Sequence, residues 1–352
     1  MDIVGRNFFR LLRSGVFGQS EEVEPMSAWK WQQVYRLASF HHVTALAYDG
    51  IRRCSDQFYM RLPEPLADVW QQDTLRQEEE GRQRNGEVVH LINILAEQHF
   101  RPILVCGQAM ASVYPEPTHR AVNSTVEVFF PFATQGKKAD EWARLNGTDL
   151  SPTVRDTLSY TWQGVRIDHR HRLARLTNRL NNHTLNGYIE RELLDSHNAY
   201  AEVDGRTIET VPPSLQLLIL IVRAAQSMVS GSFHLQQLLD IGVFLRTIGD
   251  QVDYVKLQDW IGGIHTVRVA QLISLLLQEL LNFTPEELPF VQRVPQLSID
   301  KLIEDIRRGK DEDNDDDNWS MRRSTRYLRY YPSEGVANIL SGVGRVVRRV
   351  EE

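Results

Sequence analysis

The chain has little cysteine: Cys54 and Cys106 are the only two among 352 residues, and they lie far apart. One possible pair makes no disulfide framework, and Cys/His metal spacing is absent. A reducing compartment follows, and the cytoplasm is the expected location. Long apolar runs are lacking as well. The most apolar stretch, Leu215 to Val222, is closed by Arg223 and is far too short to cross a bilayer. It reads as a buried helix, so no membrane span is expected. The opening MDIVGRNFFRLLRSGVFG has arginines scattered through its apolar part, and no secretory signal is expected from it. Nor is there an excess of positive charge. A formal net charge of -6 gives no global field for nucleic acid or an anionic membrane surface. No internal repeat stands out. What remains, 42% hydrophobic and 24% charged residues, is ordinary globular composition in a chain long enough for a core domain and a helical companion.

The first hundred residues read as helical. Trp29, Val34, Leu37, Ala38 and Leu46 recur at helical spacing. Pro63 and Pro65 break the pattern, and a long polar helix runs from Leu66 to about Phe100, weakened at Gly81 and Gly86. The texture then changes. Arg101 to Val105 reads as a buried strand that turns at Gly107. Gln108 to Tyr114 fits two helical turns, and Thr125 to Phe130 is a strand stopped by Pro131. Lys138 to Leu145 fits a helix. Thr157 to Trp162 and Val165 to Leu173 form a hairpin about Gln163-Gly164. This order describes a small mixed sheet with helices on one face. After Asn186 the pattern is helical again, interrupted by a hairpin around Asp204-Gly205. Three apolar helices follow: Pro213 to Val229, His234 to Arg246 and Val267 to Leu281.

Gly309 to Asn318 is acidic. Its aspartates at 311, 313, 315 and 317 suggest a calcium loop, but Asp316 stands where such a loop needs Gly and Arg322 where it needs Glu. A solvated linker is the expectation. The tail beyond is basic, with Arg322, Arg323, Arg326, Arg329, Arg345, Arg348 and Arg349. It either neutralises the acidic run or touches anionic lipid or nucleic acid.

The stretch Ile103 to Pro131, ILVCGQAMASVYPEPTHRAVNSTVEVFFP, carries the most information. It resembles the uncharacterised nucleotidyltransferase family of bacteria. That family's pattern is a strand, Leu-Lys-Gly, a short helix, a Tyr-Pro-x-Pro-x-x-Arg loop, and Gly-Asp-Ile-Asp opening a second strand. Gly107, Gln108, Ala109, Tyr114, Pro115, Pro117, His119 and Arg120 carry the match, followed by the strand Val126 to Phe130. Weaker pieces follow the same order: Phe40-His41-His42-Val43, Val165 to Leu173, and Ser214 to Leu245 with Leu238-Leu239-Asp240. Together they span residues 30–280.

The resemblance implies an α/β (α+β) fold, mostly helical, with a small mixed sheet of nucleotidyltransferase type. With the patterns read above, the chain divides into an N-terminal helical region 1–99, a core 100–185, a C-terminal helical domain 186–308, an acidic linker 309–319 and a basic tail 320–352; the resemblance does not reach the tail. The implied reaction moves a nucleoside monophosphate from an NTP to an acceptor, with loss of pyrophosphate. Such an enzyme positions phosphates and neutralises developing charge, normally with two Mg2+ or Mn2+ ions. Carboxylates at i and i+2 of one strand share a face, and a third comes from a neighbouring strand. The glycine after the first strand admits phosphate close to backbone N–H groups.

This sequence departs from that design. Aligned from Pro131, the acidic pair falls on Thr125 and Glu127; aligned from Arg120, it falls on Ser124 and Val126. The first alignment is preferred. Thr125 then replaces the first carboxylate, and Glu127 and Asp168 are the candidate catalytic and metal-binding remnants. Gly107, Gln108 and Arg120 are the candidate phosphate binders, and Cys106 replaces the family's lysine. Each has a plainer reading. Glu127 serves equally as an outward strand residue, and Asp168 as an ion-pair partner of Arg166, Arg170 or Arg172 on its own face. Arg120 suits a structural salt bridge, and Cys106 a small buried residue. His169 and His171 share the other face and lack an evident third metal ligand, so they read as solvated or packed. Arg223 and Gln226 are placed near the cleft by nothing more than their helix.

Three functions remain. The first is a catalytically impaired nucleotidyltransferase-like protein acting as a nucleotide-binding or protein-interaction module. The second is an active metal-dependent transferase with an unknown acceptor. The third is nucleic-acid binding through the arginine tail, with steep salt dependence; elsewhere in the chain no nucleic-acid contact is expected.

Overall fold

The computed structural model describes residues 1–19, 21–121, 125–152, 156–291, 299–308, 328 and 330–338. The chain divides into two compact units, Met1–Leu173 with Glu192–Pro212, and Ala174–Arg191 with Pro213–Glu352.

The first unit opens with helix α1 (Ile3–Phe17), capped by the Asp2 carboxylate on Gly5 N–H at 2.9 Å and ended by Gly18 at φ 68°. Helices α2 (Ala28–Phe40) and α3 (Thr44–Arg53) follow. Between them His42 takes φ 59°, and Val43 N–H returns to the Ala38 carbonyl at 2.8 Å. The continuous spacing from Trp29 to Leu46 is therefore two helices. Trp29, an expected core residue, is 67% exposed, while Trp31 is buried in its stead. Helix α4 (Glu64–Glu97) has Pro65 in its first turn, and its Trp70 indole N–H donates to Thr44 O at 2.9 Å.

Strand β1 (Ile103–Leu104) is two residues long, not five. Pro102 has no N–H to give, and Cys106 turns the chain at φ 49°. Next come α5 (Gly107–Ala111), a tight 3-10 turn at Pro117–His119, β2 (Thr125–Phe129), α6 (Ala133–Asn146), β3 (Thr157–Trp162) and β4 (Val165–Arg170). Strands β5 (Ala199–Val203) and β6 (Arg206–Thr210) form the second hairpin. Both hairpin turns have positive φ at two successive residues: 46° and 81° at Gln163-Gly164, and 49° and 71° at Asp204-Gly205. That is the type I′ geometry, whose twist matches the strands.

The strands make one mixed six-stranded sheet in the order β3-β4-β2-β1-β6-β5. The sheet is two strands wider than residues 100–173 alone would build. Strand β6 pairs in parallel with β1 through Leu104 and Thr210. One sheet face is the core. Val126, Val128, Leu158, Tyr160 and Ile167 pack there with Val88, Leu91 and Leu95 of α4 and Ala139 and Ala143 of α6. The period-2 alternation leaves polar residues on the opposite face.

The second unit is helical. It holds α7 (Arg179–Asp195) as far as Arg191, then α8 (Pro213–Ser230), α9 (Leu235–Ile248), α10 (Tyr254–Gly263), α11 (Val267–Leu281) and α12 (Asp300–Arg308). By length and composition α8 could cross a membrane, but 72% of it is buried inside the protein, as expected of a core helix. A short helix over 332–338 packs in this unit. Its buried Glu334 accepts from Asn178 N–H at 2.9 Å, from Thr177 N–H, and from the Gln226 amide at 2.6 Å. Gln226 thus holds a carboxylate of the chain itself. The acidic run 309–318 and the seven tail arginines lie outside the described residues.

Candidate functional site

Strands β2 and β4 run in parallel, with Thr125 opposite Arg166, Glu127 opposite Asp168, and Phe129 opposite Arg170. Strand β3 adds Thr161, Ser159 and Thr157 to the same rows. Paired residues on neighbouring strands point to one face, about 4.8 Å apart. The structure therefore brings Thr125, Glu127 and Asp168 together on the polar side of the sheet.

Each carboxylate already has a partner. Arg170 Nη2 donates to Glu127 Oε1 at 2.7 Å, with the two side chains 28% and 17% exposed. Ser159 Oγ donates to Asp168 Oδ1 at 2.5 Å. Asp168 is thus held by a hydroxyl and is not the arginine partner that its sequence neighbours suggest. Arg166 reaches away to Asp149 O at 2.8 Å and Ser151 Oγ at 2.5 Å, and Arg172 pairs with Asp156 at 3.3 Å. Of the two carboxylates, Glu127 is ion-paired and Asp168 is bound by a neutral hydroxyl.

The fit to a metal pair is poor. A hard divalent ion needs several anionic oxygens to offset its dehydration. Here the donors are two carboxylates and the Thr125 hydroxyl, and one carboxylate carries a permanent cation. Among the described residues no group of three or more His, Cys, Asp or Glu side chains is arranged to hold a metal ion.

The turn after β1 places the phosphate candidates. Cys106 and Gly107 both have positive φ, 49° and 44°, and Cys106 is buried. Gln108 is 2% exposed, and among the described residues neither its amide oxygen nor its amide nitrogen has a hydrogen-bond partner. Arg120 is also buried. Its Nη1 donates to Gly107 O at 3.2 Å and to Ala121 O at 3.4 Å, which ties the loop back to the turn. Arg120 also lines a cleft of about 210 Å3 together with Arg76 and Arg84 of α4.

Two histidine clusters were not visible in the sequence as clusters. His119 is clamped with Nδ1 2.6 Å from Asp49 of α3 and Nε2 2.8 Å from Glu78 of α4. Burial works against its charge, but the two carboxylates outweigh it and raise its pKa. On the core face His169 Nδ1 lies 3.3 Å from Asp140 of α6, and His171 Nε2 lies 2.9 Å from the same carboxylate. Tyr160 OH meets His169 Nε2 at 2.9 Å. Burial alone would raise the Asp140 carboxyl; the two imidazoles hold it at about 2. Burial pushes His169 down, and the bond to Asp140 pushes His171 up. Both histidines are structural partners of α6. Asp140 faces the sheet in α6 beside Ala139 and Ala143, a three-to-four-residue spacing that was readable.

The family described as uncharacterised nucleotidyltransferase matches residues 27–282. No curated protein and no solved structure matches the chain. The family match covers well over half of the sequence and takes in the sheet, the loop and the first helices of the second unit. The chain belongs to the uncharacterised nucleotidyltransferase family.

Proposed function

We propose that this chain is a catalytically impaired nucleotidyltransferase-like protein that works as a nucleotide-binding or protein-interaction module. The observation that carries this reading is the Arg170–Glu127 contact at 2.7 Å, in register beside Asp168. A guanidinium stays charged at every physiological pH. It supplies in permanent form the positive charge that an active relative of this design would take from an ion. Thr125 leaves the site one carboxylate short, and Arg170 balances one of the two that remain. Magnesium or manganese would have to displace an ion pair to bind Glu127 and Asp168.

The nucleotide-binding half of the reading is supported at Gly107, Gln108 and Arg120. A buried amide without partners costs about 1–3 kcal/mol. The Gln108 amide would recover that cost from a polar ligand group at the turn. The in-register pairing of Glu127 with Asp168 favours one other reading, an active transferase moving a nucleoside monophosphate from an NTP to an acceptor.

A thermal-shift series against the four NTPs, each with magnesium, with manganese and with EDTA, separates these readings. A ligand specific for the folded state raises the melting temperature by mass action. Stabilisation by one nucleotide that persists in EDTA and in Glu127→Ala supports the binding module. A shift that requires the metal, and that Glu127→Ala or Asp168→Ala abolishes, supports the active enzyme. No shift with any nucleotide at millimolar concentration removes the nucleotide and leaves protein interaction.

A further inference from the structure

The cleft shared by Arg76, Arg84 and Arg120 is walled by α4, by the α2–α3 region and by the loop ending at Ala121. Thr125, Glu127 and Asp168 take no part in its wall. Three guanidiniums converge there against two carboxylates, Asp73 and Glu80. Asp73 is engaged by Arg76 at 2.7 Å and by the Tyr35 hydroxyl. The wall has no aromatic residue and no aliphatic one larger than alanine. Such a wall offers nothing for a nucleobase to stack on, and its volume of about 210 Å3 suits a compact polar ligand.

The wall is held in place. The Gln77 amide donates to Thr118 O at 3.1 Å and to His119 O at 2.7 Å, and the His119 clamp pins the same loop to α3 and α4. Arg120 is 7% exposed, so its charge is desolvated and directional. Burial also lowers the pKa of Arg84, which marks a cation drawn out of water, although Glu80 offsets part of that effect.

We propose that this cleft is a binding site for a small phosphate anion without a base: inorganic phosphate, pyrophosphate or a short polyphosphate. Arg76, Arg84 and Arg120 hold it through charge-assisted, bidentate hydrogen bonds. The site goes beyond the metal question, because none of the strand carboxylates takes part.

Calorimetric titration of the full chain with phosphate, pyrophosphate and tripolyphosphate, in EDTA and at physiological salt, tests it. Saturable binding of at least one anion is expected. Arg84→Gln should weaken it about tenfold or more, the worth of a lost hydrogen bond to a charged group. Arg76 is 69% exposed, so Arg76→Gln folds and should weaken binding even if Arg84→Gln does not fold. Glu127→Gln should leave it unchanged. Two results overturn the proposal: no saturable binding by any of the three anions, or binding indifferent to Arg76→Gln.

Discussion

His119 occupies a position where a single proton ties three segments together, the loop, α3 and α4. Its pKa is raised in the fold. Such a group stabilises fully below its unfolded value near 6.5, and that contribution is lost as pH rises through the folded value. Urea denaturation should therefore show the wild-type advantage over His119→Gln shrinking above about pH 6.5. At acid pH the advantage should be about 1.5–3 kcal/mol, the worth of hydrogen bonds between charged groups. A constant difference across that range would remove the charged clamp. Arg170 allows an opposite experiment. Arg170→Gln deletes one cation beside Glu127 and should tighten Mn2+ binding about tenfold or more, because a unit charge a few ångströms away is worth about 1–4 kcal/mol in a half-buried setting. Titration calorimetry checks it, and unchanged Mn2+ affinity would count against the Arg170–Glu127 pair as a barrier to a metal ion. At this scale the sequence was partly legible. The family resemblance put Glu127 and Asp168 in one site, while strand alternation by itself placed only Thr125 with Glu127, and Asp168 with Arg166 and Arg170, on shared faces. Their partners could not be read, because Ser159 and Arg170 become neighbours only through the β3–β4–β2 register, which depends on the whole sheet.

Two glycines decide how the first helices meet. A Cβ on Gly50 would lie 1.9 Å from the Leu11 carbonyl oxygen, and one on Gly15 would lie 2.1 Å from the Leu46 carbonyl oxygen. Helices α1 and α3 therefore touch backbone to backbone. Gly50→Ala should cost about 3 kcal/mol, at the upper end of ordinary overpacking, since both obstacles are main chain. Gly86 of α4 meets nothing within 4 Å, and Gly86→Ala should stabilise by about 0.5–1 kcal/mol through helix propensity. Chemical-denaturation midpoints of the two variants should move in opposite directions. Elements with strong periodicity or turn chemistry were legible, among them α4, α11 and both type I′ hairpins. The α2–α3 break was not, because it lies in a left-handed histidine rather than in a glycine or proline. The two-residue length of β1 was hidden by the apolar run around it.

At the scale of the molecule, the sheet is assembled from distant pieces. Thr210 Oγ1 donates to Leu104 O at 2.9 Å across a sequence separation of 106 residues. Residues 174–191, which lie between, belong to the other unit. No local pattern encodes that seam, so the hairpin near Asp204 was legible while its place in the sheet was not. A fragment ending at residue 185 should leave β1 as an open edge and associate on size exclusion, whereas a fragment ending at residue 212 keeps all six strands and should run as the smaller species. Equal behaviour of the two fragments would show that the β1–β6 seam is dispensable. The seam also sets a schedule for synthesis. A ribosome adding about 5–20 residues per second needs about 2–8 s to pass from Leu173 to Pro212, and through that interval the nascent sheet has a bare β1 edge. Until the hairpin emerges, the strand that ends up inside the finished sheet is its rim.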